Sequence, residues 1–556
     1  MKYCILFALF GIGIKGFSQS FEWAKGIGGD SDDSGESIAV DASGNVYTTG
    51  AFQGVADFDP GPGIFNLTSA GAYDMFISKL DAAGNFIWAK HLGAVLDDKG
   101  RSIAVDATGN VYVTGEFRSA VDFDPGPGFA FLFAGTESDA FVLKLDEAGT
   151  FVWAASIGAD SGDSGRSISI DATNHIYIAG AFGGNVDFDP GQNTFLLSSA
   201  GSTDIFISKM NSNGGFLWAK RMGGVSGDEC NAVSTDPGGN VYITGDFLGT
   251  ADFDPGQNEY NLTSAGISDA FICKLDPDGD FAWARQLSGN SNALDVGLSI
   301  DVDDVGNIYT TGFFNFDLLA FSSAIFISKL DATGNLLWLK QMDNSGAGQA
   351  ITIDAGKNVY TIGEFQGTVD FDPGPGTFNL TSSGGNDVFI CKLDAAGNFV
   401  WAKQMGGSSS DSGYAILVDD AGAIYTSGRF RSTSDFDPSS GMFNLTSSGS
   451  WDIFILKMNQ QNTDVANNNS GAGFATIYPN PTRGKFLIDL HGNDANIASI
   501  EIINARGQTL VNVVPQFPAT PAVDLAKAPS GVYFVRLHTT GRSYFTLKVL
   551  KERGSF

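Results

Sequence analysis

The stretch DMFISKLDAAGNFIWAK, Asp74 to Lys90, decides the architecture. Phe and Trp fall on one side and Ile on the other of two strand-like segments, which a tight turn at Asp81 to Gly84 joins. Its second half recurs as FEWAK, FIWAK, FVWAA, FLWAK, FAWAR, LLWLK and FVWAK, around Trp23, Trp88, Trp153, Trp218, Trp283, Trp338 and Trp401. The first four intervals are 65 residues and the last two 55 and 63. Seven copies of one unit at that period make a tandem array of small sheets.

Ahead of this pair each copy places two more segments, SIAVD (Ser37 to Asp41) and NVYTTG (Asn45 to Gly50) in the first. The turns DASGN and DAAGN put an Asp that can cap its own turn before a Gly at a positive-φ position, which fits hairpins built on type I turns. Four antiparallel strands repeated radially are the unit of a β-propeller. A chain of 556 residues with 72 Gly, 45 Phe and 43% hydrophobic residues suits many short strands and almost no helix. Small residues at Ala39, Ala104, Ser169, Ser234 and Thr352 fit first strands converging on an axis, with Asp301 and Leu417 as departures. The array opens with a lone fourth strand, Phe21 to Lys25, and its last copy stops after three, at Asp452 to Met458. Pairing of the two would complete seven blades and leave no open edge.

The order D-x-x-G-N-V-Y-x-T-G, D-x-F-I-x-K-L-D, a tryptophan strand and Gly-Gly resembles the SBBP class of β-propeller repeats over residues 21–458. Copy five lacks about ten residues between Gly312 and Ala324, copy three has Asn174-His175 for Gly-Asn, and copy seven has Ala423 for Asn. The resemblance implies a fold and no reaction.

Strand direction alternates, so the short turns share one face and the longer connections share the other. Those connections are the inter-copy link, such as Gly28 to Glu36, and the excursion after the second strand, such as Val55 to Gly71. The excursion carries DFDP six times, at Asp57 and Asp59, Asp122 and Asp124, Asp187 and Asp189, Asp252 and Asp254, Asp370 and Asp372, and Asp435 and Asp437. Two readings stay open: paired carboxylates about 7 Å apart that share a calcium ion, or solvated acids beside a buried Phe in a Pro-Gly turn. Variable residues five positions before each first-strand aspartate sit at the expected channel mouth: Glu36, Arg101, Arg166, Asn231, Leu298, Gln349 and Tyr414. Loops over rigid strands are where recognition tends to reside.

The net charge is -30; residues 475–556 carry 9 Lys+Arg against 5 Asp+Glu and the first 18 carry two Lys, which leaves -36 on the array. Such a surface disfavours nucleic acid and anionic lipid and favours cations or basic partners. His91, His175, His491 and His538 form no triad or metal spacing. Cys230, Cys273 and Cys391 make no disulfide framework. NLT at Asn66, Asn261, Asn379 and Asn444 matches a glycosylation pattern but reads better as repeated strand structure.

Residues 1–18, with Lys2, an apolar run from Cys4 to Ile14 and Gly16-Phe17-Ser18, read as a signal peptide ahead of an array at 19–458. No later apolar run approaches the ~18 residues that cross a bilayer. Residues 459–475 are a polar linker, and 476–556 read as a small Ig-like β-sandwich of about seven strands. This tail resembles the type A sorting domain of the type IX secretion system, on Tyr478-Pro479-Asn480-Pro481, Gly484, Asn504 to Gly507, Gly531-Val532-Tyr533, Lys548 and Lys551. The resemblance implies engagement of that machinery and release or attachment at the outer surface of a Gram-negative bacterium. The expected role is a non-catalytic binding or adhesion module for a glycan or protein. A polysaccharide-acting enzyme with its site over the channel, or a surface-layer scaffold, are the alternatives.

Overall fold

The computed structural model describes residues 16–289, 293–317, 322–342, 345–439 and 441–463, and the strands of 476–551 with a few flanking residues. Residues 1–15 of the expected signal peptide lie outside the described residues. Every described element is a strand, and among the described residues no helix is long and apolar enough to cross a membrane. Two compact units emerge, Ser20–Asn459 and one that includes the segment from Gln460 onward.

In the larger unit one strand order repeats: first beside second, second beside third, third beside fourth, all antiparallel. Copy one builds it from Ser34–Val40, Val46–Phe52, Asp74–Leu80 and Phe86–Leu92. The last copy supplies Ser412–Val418, Ala423–Asp435 and Asn444–Thr463, and the N-terminal strand Gly16–Gly29 is hydrogen-bonded beside Asn444–Thr463. Each first strand also lies against the first strand of the next copy, and Ser34–Val40 lies against Ser412–Val418. Central strands are buried on both faces, as at Val46–Phe52 and Asp74–Leu80, which explains why they show no clean alternation of apolar and polar residues.

The repeated tryptophan and lysine join neighbouring sheets. Trp88 Nε1 and Lys79 Nζ both donate to the carbonyl of Glu147 in the next copy's turn, at 3.3 and 3.4 Å. Trp153 with Lys144 on Ser212, and Trp218 with Lys209 on Pro277, repeat the arrangement. Lys79 also stands 4.9 Å from the Tyr47 ring, whose hydroxyl donates to the turn acid Asp41. Trp23 and Lys457, from opposite ends of the unit, converge in the same way on the carbonyl of Ala82 at 3.3 and 3.1 Å. Trp338 Nε1 and Trp401 Nε1 have no partner among the described residues.

The turn glycine completes this joint. Gly84 has φ +76°, and an added Cβ would meet Lys25 Cε at 2.7 Å and the Trp23 ring at 3.0 Å. Gly84→Ala is expected to cost about 2 kcal/mol, from left-handed strain of roughly 1–2 kcal/mol plus displacement of the indole. Thermal melting compared with Gly422→Ala, where φ is +84° and an added Cβ meets nothing within 4 Å, separates the two contributions.

The smaller unit has two sheets. One orders Thr476–Tyr478, Lys485–Asp489 and Ala522–Asp524, and the other Thr509–Val513, Ile497–Asn504, Gly531–Thr539 and Tyr544–Lys551. They share a core of Phe486, Ile488, Ile500, Ile502, Val523, Val535 and Leu537. Of the expected sorting residues, Tyr478, Gly531, Tyr533, Lys548 and Lys551 lie on these strands. Pro479, Asn480, Pro481, Gly484 and Gly507 lie outside the described residues.

Candidate functional site

The variable positions share one structural cause. In every copy the pairing of first and second strands slips by one residue, and the skipped residue is Glu36, Arg101, Arg166, Asn231, Leu298, Gln349 or Tyr414. Each is the extra residue of a β-bulge, a device that re-aims one side chain without breaking the ladder. The second strand contributes a variable neighbour at the same end, and Glu116, Asp246, Phe313, Glu364 and Arg429 occupy it.

These residues interlock around the rim. Ser34 Oγ donates to Glu36 at 2.6 Å, and Arg101 pairs with Glu116 at 2.7 Å. Burial pushes Glu116 up, but the charge of Arg101, hydrogen bonds from Ser164 and Arg101 and the charge of Lys99 together hold the carboxyl below its ordinary range. Arg166 reaches into the next copy, where it pairs with Glu229 at 2.8 Å and donates to Asn231 at 3.0 Å. Asn231 passes the chain on to the Gly297 carbonyl at 3.1 Å. Burial, then the charge of Glu229, raises Asp246 to about 7. Arg429 lies 5.6 Å from the Tyr414 ring and 4.3 Å from the Trp451 ring. Gln349 and Glu364 line a cavity of about 330 Å³ between copies five and six.

The DFDP acids hydrogen-bond within their own loops. Asp57 Oδ1 accepts from the amides of Asp59 and Phe65 at 3.1 and 2.8 Å, and Asp59 Oδ1 accepts from Gly61 at 2.8 Å. Phe58 is fully buried between them. The first acid of every other motif repeats the Asp57 pattern, at Asp122, Asp187, Asp252, Asp370 and Asp435. The second acid repeats the Asp59 pattern: Asp124 accepts from Gly126, Asp189 from Gly191, Asp254 from Gly256, Asp372 from Gly374 and Asp437 from Ser439. Among the described residues no three His, Cys, Asp or Glu side chains group as metal ligands. Asp57, Asp59, Asp122, Asp124, Asp187, Asp189, Asp252, Asp254, Asp370, Asp372, Asp435 and Asp437 thus cap their own loops with one carboxylate oxygen.

NLT at Asn66, Asn261 and Asn379 forms the return strand of the small hairpin that begins before each DFDP. Cys230, Cys273 and Cys391 are buried and free, and burial pushes the Cys230 thiol up to about 12.

A set of buried acids went unread in the sequence. Between neighbouring sheets an aspartate opening a third strand faces one from the next link, as Asp452 faces Asp33 and Asp204 faces Asp228. Both members approach one glycine: a Cβ on Gly28 would lie 2.7 Å from Asp452 Oδ1 and 2.9 Å from Asp33 Oδ2. On Gly223 it would lie 2.9 Å from both Asp204 Oδ1 and Asp228 Oδ2. Asp33 Oδ2 accepts from Gly29 at 2.8 Å, while Asp452 Oδ1 and Asp204 Oδ1 have no partner among the described residues. The signal was present as an Asp two residues before the first-strand Gly, as at Asp33, Asp98 and Asp163, but solvated turn acids look the same in text.

Residues 476–552 match the family described as Secretion system C-terminal sorting domain, and 22–51, 87–116 and 282–312 match that described as Beta-propeller repeat. The chain therefore carries SBBP-type propeller repeats and a type IX sorting domain, and is a secreted or outer-membrane-surface protein of a Bacteroidetes-type Gram-negative bacterium. It is 24% identical over 506 residues to the Uncharacterized WD repeat-containing protein L264 of Acanthamoeba polyphaga mimivirus, over 73% of this chain and 36% of that protein. It is 25% identical over 243 residues to the Regulatory protein FlaEY of Caulobacter vibrioides, over 40% of this chain and 24% of that protein. The chain thus spans about a third and a quarter of these relatives. The extracellular domain of B. thetaiotaomicron BT4673 is similar at 11% identity and a TM-score of 0.25, over 93% of this chain and 74% of that one.

Proposed function

We propose that the array is a seven-bladed propeller, closed by the N-terminal strand, that acts at the cell surface as a non-catalytic binding module. The shared grip of Trp23 and Lys457 on Ala82 supports the closure, since it repeats across the termini the joint that links consecutive copies. The bulge rim carries the functional reading. Residues that hold the fold are copied from unit to unit, whereas the seven re-aimed side chains differ in charge, size and polarity. Arg and Tyr among them are the types enriched at interaction hot spots.

Glycan arrays and the surface of the producing cells are the probes. The purified protein is expected to bind one of them, and Arg166→Ala with Tyr414→Ala to weaken that binding about tenfold or more at unchanged melting temperature. Equal binding by the variants would remove the rim from the function. A second reading, polysaccharide hydrolysis, draws on Asp246 and Glu229, which pair across neighbouring strands at the rim. A glycosidase needs two carboxyl groups in unequal environments. Release of reducing ends that Asp246→Asn abolishes would favour that reading instead.

A further inference from the structure

The rim is uneven, and copy five is where it departs most. Gly245 of copy four pairs with Phe271, 26 positions on, but Gly312 of copy five pairs with Phe326, 14 positions on. The DFDP motif of the other six copies is absent from the sequence of that interval. The rim residues beside it are also the apolar ones, Val296, Leu298 and Phe313, where copy four has Glu229, Asn231 and Asp246.

The cavity of about 330 Å³ lies there, with Leu294 and Phe313 from copy five and Ser345, Gln349, Glu364 and Asn386 from copy six among its walls. Its size is at the lower end of small-molecule sites, and its lining, an apolar wall facing a few convergent polar groups, is the usual composition of one. Among the described residues no cation pairs with Glu364. Arg429, the positive rim residue of the next copy, is engaged by the rings of Tyr414 and Trp451. A carboxylate at the mouth of an array of charge -36 draws cations, and the apolar wall opposite selects what the cation is attached to.

We infer that this cavity binds an ammonium group carried on an aromatic or branched aliphatic body, with the body against Leu294 and Phe313 and the ammonium against Glu364. The inference rests on the reading of the rim as a binding face and gives that face a ligand chemistry. The same chemistry occurs in a free amine and in the N-terminus of a peptide that begins with an apolar residue.

Calorimetric titration of the full-length protein at low salt tests it with three probes: phenethylamine, its uncharged analogue 2-phenylethanol, and the peptide Phe-Gly-Gly. Phenethylamine is expected to bind about tenfold tighter than 2-phenylethanol, the scale of one charge-assisted contact. Glu364→Gln should erase that difference, and Phe313→Ala should weaken all three probes about tenfold. Tighter binding of the peptide than of the amine assigns the site to a chain terminus, and the reverse order assigns it to a free amine; either supports the site. Equal binding of amine and alcohol, binding unmoved by Glu364→Gln, or no heat from any probe overturns it. Glycan and cell binding of the Arg166 and Tyr414 variants is read separately, so a failed titration leaves the rim reading to stand or fall on its own result.

Discussion

The array is expected to melt roughly 10 °C higher at pH 5 than at pH 8, the reverse of a protein held together by ionised carboxylates. Burial, reinforced by the facing acid, raises Asp33 and Asp163 from 3.8 to about 7 and Asp98, Asp228 and Asp411 to about 6. Burial likewise raises Asp139 and Asp452 to about 6. A carboxyl whose pKa is higher folded than unfolded holds its proton better in the native state. Its contribution is complete below the unfolded value near 4 and is lost as the pH rises through 6 to 7. Even one unit at each of these seven groups amounts to about 10 kcal/mol. Turn acids shifted the other way, such as Asp171 at about 2, titrate below this window and leave it unaffected. The charged groups that face the junctions are Asp30 and Asp32 at the Asp33 and Asp452 pair, His91 and Asp97 near Asp98, Asp160 near Asp139, and Arg221 at Asp204 and Asp228. Scanning calorimetry at the two pH values checks the sign. A chain that melts higher at pH 8 would mean that these pairs are not proton-sharing. Asp452→Asn should narrow the gap by raising the melting temperature at pH 8 alone, since an amide in place of the unpartnered Oδ1 donates to Asp33 where a carboxylate repels it.

The sheets were legible in the sequence because the signals were local. Asp41 with Gly44 closes a turn within five residues, Phe58 is buried between two turn acids, and the tryptophan period sets the number of copies. The alternation around Phe58 set Asp57 and Asp59 two residues apart, but the amides that Asp57 caps lie up to eight residues further along the loop, beyond the reach of a local pattern. The seven rim positions were found by counting back from a repeated aspartate, yet the reason that they matter, a one-residue slip in each ladder, depends on pairing register, which composition does not carry. The joints between sheets were less visible. Trp88 reads as a core aromatic, and only packing reveals that its Nε1 and Lys79 hold one carbonyl of another copy. The facing acids were missed for the same reason, since Asp33 and Asp452 stand 419 positions apart in the chain. The cavity escaped because a deletion leaves no residue to read, only a shorter interval after Gly312.

Removal of residues 16–29 should open the proposed ring and cost about 5 kcal/mol, since it strips buried Trp23, Ala24 and Ile27 from the last sheet. The loss extends beyond those side chains. Asn444–Thr463 would become an edge with unpaired amides and carbonyls, and exposed edges of that length recruit other strands. Lys457 would lose its ion pair with Glu22 at 3.2 Å while keeping the Ala82 carbonyl that it shared with Trp23. The shortened protein is therefore expected to melt roughly 5–10 °C lower and to form concentration-dependent dimers or larger species, read by sedimentation. A synthetic peptide of residues 16–29 added in trans should restore both properties, because strand addition rebuilds the ladder and the tryptophan joint together. Trp153→Ala is the control: it removes the same joint between two covalently consecutive copies, so it lowers the melting temperature but exposes no edge and leaves the protein monomeric. A monomeric deletion variant with unchanged melting would show that the terminal strand closes nothing. Rescue by the peptide in the deletion and not in Trp153→Ala would tie stability to closure rather than to the indole alone.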